Sequence, residues 1–266
     1  MSQSKEPNLQ ESDIPESVAR RRMIKSFGWF ALAAAVPFGV YEWVTHSPGA
    51  QGIRRPLRKI LDANEQVART YFSDTHLVPT FSVEAAAKQA RVNGYDGIKT
   101  PIPEDWTLQI DRPNTESLAL TIDEVKTLPK HEIVYEFKCI EGWSQVQHWG
   151  GVRLSDFMEK YKLGTRSGNA PNPGNTDDLF KYVGMETPDK GYYVGIDMES
   201  AMHPQTLLAY ELNGQPITAP HGAPLRLIIP VKYGVKNLKR IGRIFFADER
   251  PRDFWAERGY DYYVGL

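Results

Sequence analysis

The stretch Phe137-Lys138-Cys139-Ile140-Glu141-Gly142-Trp143-Ser144 holds the only cysteine of a 266-residue chain. Leading into it, Ile133 to Ile140 alternates apolar and polar side chains, the period-two signal of a half-buried strand, so a strand delivers Cys139 at its end. Gly142 then turns the chain. A lone thiol in an apolar run is ordinarily a small buried hydrophobe. Its thiolate is also a soft ligand for a transition metal, although one sulfur by itself does not hold a metal firmly.

Working outward, the chain from Tyr71 onward has short apolar runs between Pro, Gly and Asp, the texture of a strand-rich domain with short helices and loops. Trp106 to Asp111 and Leu118 onward predict strands, the second running into a short helix that Pro129 ends. Gly150-Gly151 predicts a break before a helix over 152–161. Thr165 to Asp178 is rich in Gly, Asn, Pro and Ser and predicts a surface loop. Phe180 to Thr187 predicts a strand, the segment 192–204 a strand passing into a helix, and Asn213-Gly214 the tight turn of a hairpin. Pro224 to Pro230 and Ile241 to Glu249 predict the last strands. The length after the N-terminal segments leaves roughly 200 residues, enough for one sizeable core.

Residues 1–19 are polar and acidic and predict a disordered tail. Arg20 to Lys25 then precede an almost charge-free stretch from Phe27 to Val44, with Glu42 its only charged residue. At ~1.5 Å per residue, a helix of that length reaches across a ~30 Å hydrocarbon layer. Arg20 and Arg21, followed by Met23, Ile24 and Lys25, resemble a twin-arginine export signal, so residues 20–45 read as a signal or a membrane anchor with the basic cluster on the cytoplasmic side. Thr45 to Ala50 is a weak cleavage site, which favours an uncleaved anchor. The basic residues Arg54, Arg55, Arg58 and Lys59 then fall on the side that the positive-inside rule disfavours, a tension that a twin-arginine route or a helix lying among the headgroups would ease. Residues 46–70 predict a linker or stalk helix, with packing on the globular part as the alternative.

The charge balance, 32 basic against 33 acidic residues, provides no global field for nucleic acid. A single cysteine excludes an intrachain disulfide. There is no CxxC, HExxH, GxSxG or dinucleotide-type glycine loop. Late in the chain stand Arg226, Lys232, Lys236, Lys239, Arg240 and Arg243. Such a run is ordinarily a solvated face, but beside a turn at Pro230, Tyr233 and Gly234 it also offers backbone amides and cations to a phosphate-like anion. A cofactor that brought sulfur ligands of its own and a phosphate tail would link this turn to Cys139.

Five motifs in order, Cys139 in KCIEGWS, Thr187 in YVGMET, Ala201 to Pro204 (AMHP), His221 to Arg226 (HGAPLR) and Val231 to Lys239 (VKYGVKNLK), resemble the sulfite-oxidase superfamily of molybdopterin enzymes over about residues 71–266. Within it they look most like the bacterial periplasmic methionine-sulfoxide-reductase branch. The resemblance implies an α+β, sulfite-oxidase-type molybdopterin-binding domain of mixed β-sheets with short helices. It implies a molybdenum held by the two sulfurs of a pterin dithiolene, by the Cys139 thiolate and by oxygen ligands. It also implies molybdopterin contacts from Tyr71, Phe72, Thr187, His221, Arg226, Asn237, Leu238 and Lys239. His221 departs from the asparagine of the reductase branch, and the segment ending at Tyr71-Phe72 departs from its asparagine-rich loop.

The implied reaction is two-electron oxygen-atom transfer, with Cys139 tuning the metal and Lys138, Glu141, Trp143 and His148 flanking it. Sulfite oxidation calls for an arginine pair shortly after the ligand cysteine; Gly142, Trp143 and Ser144 stand there instead. Neither a haem-binding domain ahead of the core nor an immunoglobulin-like dimerisation domain after it is expected. Reduction of a sulfoxide is therefore the favoured direction, by a monomeric catalytic subunit outside the cytoplasmic membrane with a membrane cytochrome b as electron partner. Oxidation of a small sulfur anion, and a metal-free envelope protein that keeps the fold, are the alternatives.

Overall fold

A computed structural model describes residues 16–73, 75–113 and 115–265. The expected tail of residues 1–19 lies mostly outside them. Helix α1, Glu16–His46, contains 31 residues and starts earlier than the basic cluster had suggested. Its Met23–His46 portion, 24 residues with none of its apolar window buried, is long and apolar enough to cross a membrane. The hydroxyls of Thr45 and Ser47 end the helix by donating to the carbonyls of Tyr41 and Trp43 at 2.9 and 2.5 Å.

A two-residue-per-arm hairpin follows, β1 (Gly49–Ala50) and β2 (Ile53–Arg54), whose turn residues Gln51 and Gly52 have φ of 46° and 79°. Gly52 is required there. A Cβ on it would lie 2.5 Å from the Glu257 carbonyl oxygen. Helix α2, Arg55–Tyr71, starts with Pro56 in its first turn, where the missing N–H costs nothing. It is docked on the domain. Arg58 and Glu65 are buried, and Asp62 and Glu65 pair with Arg250 at 3.0 and 2.7 Å. The stalk expectation gives way to the packed alternative.

Next come β3 (Leu108–Ile110), β4 (Leu118–Leu120) and α3 (Ile122–Val125). The Thr121 hydroxyl accepts from the Glu124 amide and the Glu124 carboxylate accepts from the Thr121 amide, a reciprocal cap that starts α3. Strands β5 (His131–Lys138) and β6 (Ser144–Arg153) form a long hairpin in register from His131 opposite Gly151 to Lys138 opposite Ser144. The expected break at Gly150-Gly151 is instead a β-bulge inside a continuous strand. Helix α4 (Leu154–Tyr161) follows, then the loop expected over 165–178, closed by a bridge between Thr165 and Leu179. The rest is β7 (Tyr182–Glu186), β8 (Tyr193–Asp197), α5 (Met198–Met202), β9 (Leu207–Leu212), β10 (Gln215–Pro216), β11 (Arg226–Ile228) and β12 (Arg243–Ala247). The β9–β10 turn is Asn213-Gly214, with both φ positive at 53° and 70°.

Among the described residues the strands form two larger sheets. One has the order β10-β9-β6-β5 with β11 added to β9, and the other has the order β4-β3-β12-β7-β8. Only the β3–β12 pairing is parallel in these sheets. The main core joins side chains of both sheets with α4, among them Leu108, Val152, Phe157, Ile196, Leu227 and Ile244. A second cluster, Ile133, Tyr135, Phe137, Trp149, Ala209 and Ile228, runs along one face of the first sheet and ends on Cys139.

The bulge makes a sharp demand. A Cβ on Gly151 would sit 2.2 Å from the Leu208 carbonyl oxygen. Gly151→Ala is expected to cost about 3 kcal/mol, the upper end of ordinary overpacking, because the obstacle is backbone. Urea unfolding of the variant beside Gly174→Ala, where the nearest atom is a side-chain oxygen at 3.3 Å, measures it; similar midpoints would refute the assignment.

Candidate active site

The β5–β6 hairpin holds Cys139 at its tip. The Cys139 amide donates to the Trp143 carbonyl at 2.9 Å, and the Gly142 amide donates back to the Cys139 carbonyl at 3.1 Å. Gly142 closes this turn with φ of 87°, a conformation that costs glycine little. Trp143 stacks on Phe137 with ring centroids 5.9 Å apart, and its indole N–H donates to Glu141 at 3.1 Å. The Arg91 guanidinium covers the outer face of Trp143 at 4.5 Å. Cys139 is therefore held by the backbone on one side and by a ring stack on the other. Burial pushes its thiol up, so an electropositive partner at the sulfur is needed to hold the thiolate.

The sulfur faces a cleft of about 110 Å³. Cys139, Ile140 and Glu141 form one wall. Gly234, Val235, Asn237 and Lys239, from the 3₁₀ turn at 234–236 and the bend after it, line the cleft as well, with Asn93, Gly94 and Asp96. Tyr192, Trp255 and Tyr260 complete the lining. The last two sit on a loop gripped from outside by Arg58, whose guanidinium donates to the carbonyls of Gln51, Ala256 and Tyr260 at 2.7, 2.8 and 2.8 Å.

Beside Lys239 lies a group of basic side chains with no acid paired to them among the described residues. The Lys239 ammonium donates to the carbonyls of Gly94 and Pro220, both at 2.8 Å. The fully buried Arg226 donates to the carbonyls of His221 and Asn237 at 2.9 and 3.2 Å, rests on the Trp149 ring at 4.6 Å, and leaves its Nε without a partner. Burial first, then Arg226 and Lys239, hold His221 at about 4. Burial and Arg226 hold Lys239 at about 7. Asn237 is locked from both ends, accepting from the Ile229 amide at 2.8 Å and donating to the Tyr233 carbonyl at 3.2 Å. Leu238 is buried, and its carbonyl accepts from the Leu227 amide at 2.8 Å.

The rest of the basic run is spent elsewhere, which corrects the single-pocket expectation. Lys232 pairs with Asp197 at 3.1 Å, Lys236 pairs with Asp253, and Arg243 pairs with Asp111 and Glu186. Arg240 donates to the carbonyls of Ala223 and Thr100 at 3.2 and 2.6 Å.

Of the predicted site residues, Cys139, Asn237 and Lys239 share the cleft, and His221 and Arg226 adjoin Lys239. Thr187 is buried one layer back, its hydroxyl bonded to Asp189 and accepting from the Tyr192 amide at 3.1 Å. Tyr71 and Phe72 line a groove with His76 and Tyr263 rather than the Cys139 cleft. Among the flanking residues only Glu141 lines the cleft. His148 turns to Glu132 at 3.4 Å, and Lys138 approaches Glu136 at 3.9 Å. Asn93-Gly94, Tyr192, Trp255 and Tyr260 went unnoticed in the sequence. Asn93-Gly94 has the same two residue types as Asn213-Gly214 but forms no hairpin turn, only Gly94 having a positive φ, at 64°, and isolated aromatics carry no local signal.

A soft sulfur at a hairpin tip, next to cations that have only carbonyls for company and one buried N–H with no acceptor, fits a metal-bearing, anionic cofactor. This is the site of a cofactor-dependent oxidoreductase of α+β architecture. The chain belongs to the family described as oxidoreductase molybdopterin binding domain, whose profile matches residues 96–255, and its cofactor is accordingly molybdopterin with molybdenum.

A protein of Azospira oryzae provisionally named protein-methionine-sulfoxide reductase subunit YedZ1 is 30% identical over 205 residues, 76% of this chain and 73% of its own. The protein-methionine-sulfoxide reductase catalytic subunit MsrP of Campylobacter jejuni is 32% identical over 175 residues, so that the match spans 61% of this chain and only 57% of that relative. The sulfane dehydrogenase SoxCD from Paracoccus pantotrophus shares 19% identity over 57% of this chain and 41% of its own, with a TM-score of 0.47.

The cation cluster has a pH signature. Lys239 titrates near 7 in the folded protein against an ordinary 10.5. Between these values the unfolded chain carries the proton and the folded chain does not, so cofactor-free protein gains stability as pH rises through this window. The penalty is complete below about 7. Lys239→Met is expected to flatten the rise, read as the difference between wild-type and variant urea-unfolding free energies across pH 7 to 10; equal slopes would refute it.

Proposed function

We propose that the chain reduces a sulfoxide by two-electron oxygen-atom transfer at molybdenum, outside the cytoplasmic membrane. The observation that carries this reading is that Cys139 and Lys239 line one cleft, with Arg226 and His221 adjoining Lys239. When bound, the cofactor supplies the two-electron couple and the acceptor for oxygen. Cys139 would hold the metal. Lys239, Arg226 and His221 would hold the phosphate end, with the backbone of 237–239 and the Asn93-Gly94 segment against the pterin. Thr187 acts from behind by fixing Tyr192. Tyr71 and Phe72, lining a different groove, are left out of this set.

The cleft favours a neutral substrate over a dianion. Asp96 and Glu141 line it and would repel sulfite, while Tyr192, Trp255 and Tyr260 offer apolar ring surface to a methyl or methylene next to sulfur. Reduction of a sulfoxide consumes two electrons and two protons and releases water. The Glu141 carboxylate is oriented by the Trp143 indole, and the Asp96 carboxylate accepts from Lys99 at 3.0 Å.

The relatives named for methionine-sulfoxide reduction support the same direction. The apolar Met23–His46 portion of α1 that follows Arg20 and Arg21 supports export by a twin-arginine route with retention as an anchor, and a membrane cytochrome b fits as the electron donor to a monomeric catalytic subunit.

Metal analysis and two assays test this. Cys139→Ser is expected to lose most of its molybdenum and at least about a hundredfold in turnover. Wild type is expected to reduce methionine sulfoxide with a reduced dye and to leave sulfite untouched with an artificial acceptor. Molybdenum retained unchanged in Cys139→Ser, or robust sulfite oxidation, would overturn the reading.

A further inference from the structure

Helix α2 is amphipathic in the unusual sense. Four of its charged side chains turn toward the domain: Arg58 reaches three carbonyls, Glu65 and Asp62 meet Arg250, and Arg69 meets Glu199 at 3.1 Å. Its apolar side chains point out. Leu57, Ile60, Val67 and Tyr71 are 42, 57, 58 and 76% exposed, and at 100° per residue they fall on one stripe roughly opposite Arg58, Glu65 and Arg69. A helix that faced only water would carry the reverse arrangement.

Two further observations identify what covers this stripe. The helix begins only nine residues after His46, where α1 ends. Arg54, Arg55 and Lys59 are exposed around its first turns, and no acid pairs with them among the described residues. Apolar side chains flanked by unpaired basic ones, directly after a helix of membrane-spanning length, match the interfacial layer of a bilayer with anionic headgroups. We infer that α2 lies on the membrane surface through Leu57, Ile60, Val67 and Tyr71, with Arg54, Arg55 and Lys59 among the lipid phosphates. This inference rests on the reading of α1 as a retained anchor. Because Arg58 ties the same helix to the Ala256 and Tyr260 carbonyls, the wall of the Cys139 cleft that bears Trp255 and Tyr260 is held on the membrane side of the domain.

Photo-crosslinking on the full, molybdenum-loaded chain in discs of phosphatidylcholine and phosphatidylglycerol tests it. The photoreactive residue benzoylphenylalanine is placed at Ile60, at Val67 and, as a control on the flank of the helix, at Gln66. Molybdenum content and turnover of a soluble sulfoxide should stay at the wild-type level, since none of the three lines the cleft. Lipid adducts are expected at positions 60 and 67 at a yield at least about tenfold above position 66. Equal yields, or adducts joining two copies of the chain, overturn the inference while leaving the anchor intact. Release of the chain from membranes by alkaline carbonate overturns both.

Discussion

Buried positive charge is the constraint around which this domain is arranged. Arg226, Lys232, Lys236, Lys239 and Arg240 all lie under the surface, and a cation taken out of water needs a partner or loses its charge. The fold meets the need in three ways. Lys232 and Lys236 receive carboxylates from Asp197 and Asp253 and become structural ties. Arg240 is satisfied by carbonyls and sits beside Asp189. Lys239 and Arg226 receive carbonyls only. Burial lowers both, and Lys239 comes to titrate near neutrality. Under the proposed reading, these two are the cations available to an anion that arrives with the cofactor.

The second element of the site depends on the first sheet. The register of the β5–β6 hairpin, unbroken from His131 to Lys138, fixes where the tip falls. The bulge at Gly150-Gly151 lets β6 keep its pairing with β9, which in turn carries β11 and Arg226. Cys139, after β5, and Arg226, on β11, are thus placed by one continuous ladder that runs β5-β6-β9-β11. The cleft walls then close from sequence-distant pieces, Asn93-Gly94 before the sheet and Trp255 and Tyr260 after it. The loop with the last two is braced by Arg58 of α2, a helix outside the residues that the family profile matches.

Much of this was legible in the chain. Period-two alternation located β5, the turn pair Asn213-Gly214 located the β9–β10 turn, and the almost charge-free stretch from Phe27 to Val44 located α1, because each of these signals is local. The resemblance of five ordered motifs led to the cofactor. Partnerships were not legible. Lys236 and Lys239 are three residues apart and chemically identical, yet one meets Asp253 and the other meets carbonyls. His148 was a plausible neighbour of Cys139 by number, and β6 turns it to Glu132 instead.

The sequence by itself determined the strand that ends on Cys139, the apolar α1 and the family, since side-chain periodicity and motif order are properties of the chain alone. Only the tertiary structure decided which cations remain without acids, that the charged face of α2 turns inward, and that Tyr71 and Phe72 lie apart from the cleft that Asn93-Gly94 lines. Burial and charge pairing between residues far apart in the chain are set by how the two sheets and α2 pack, and no local pattern encodes them.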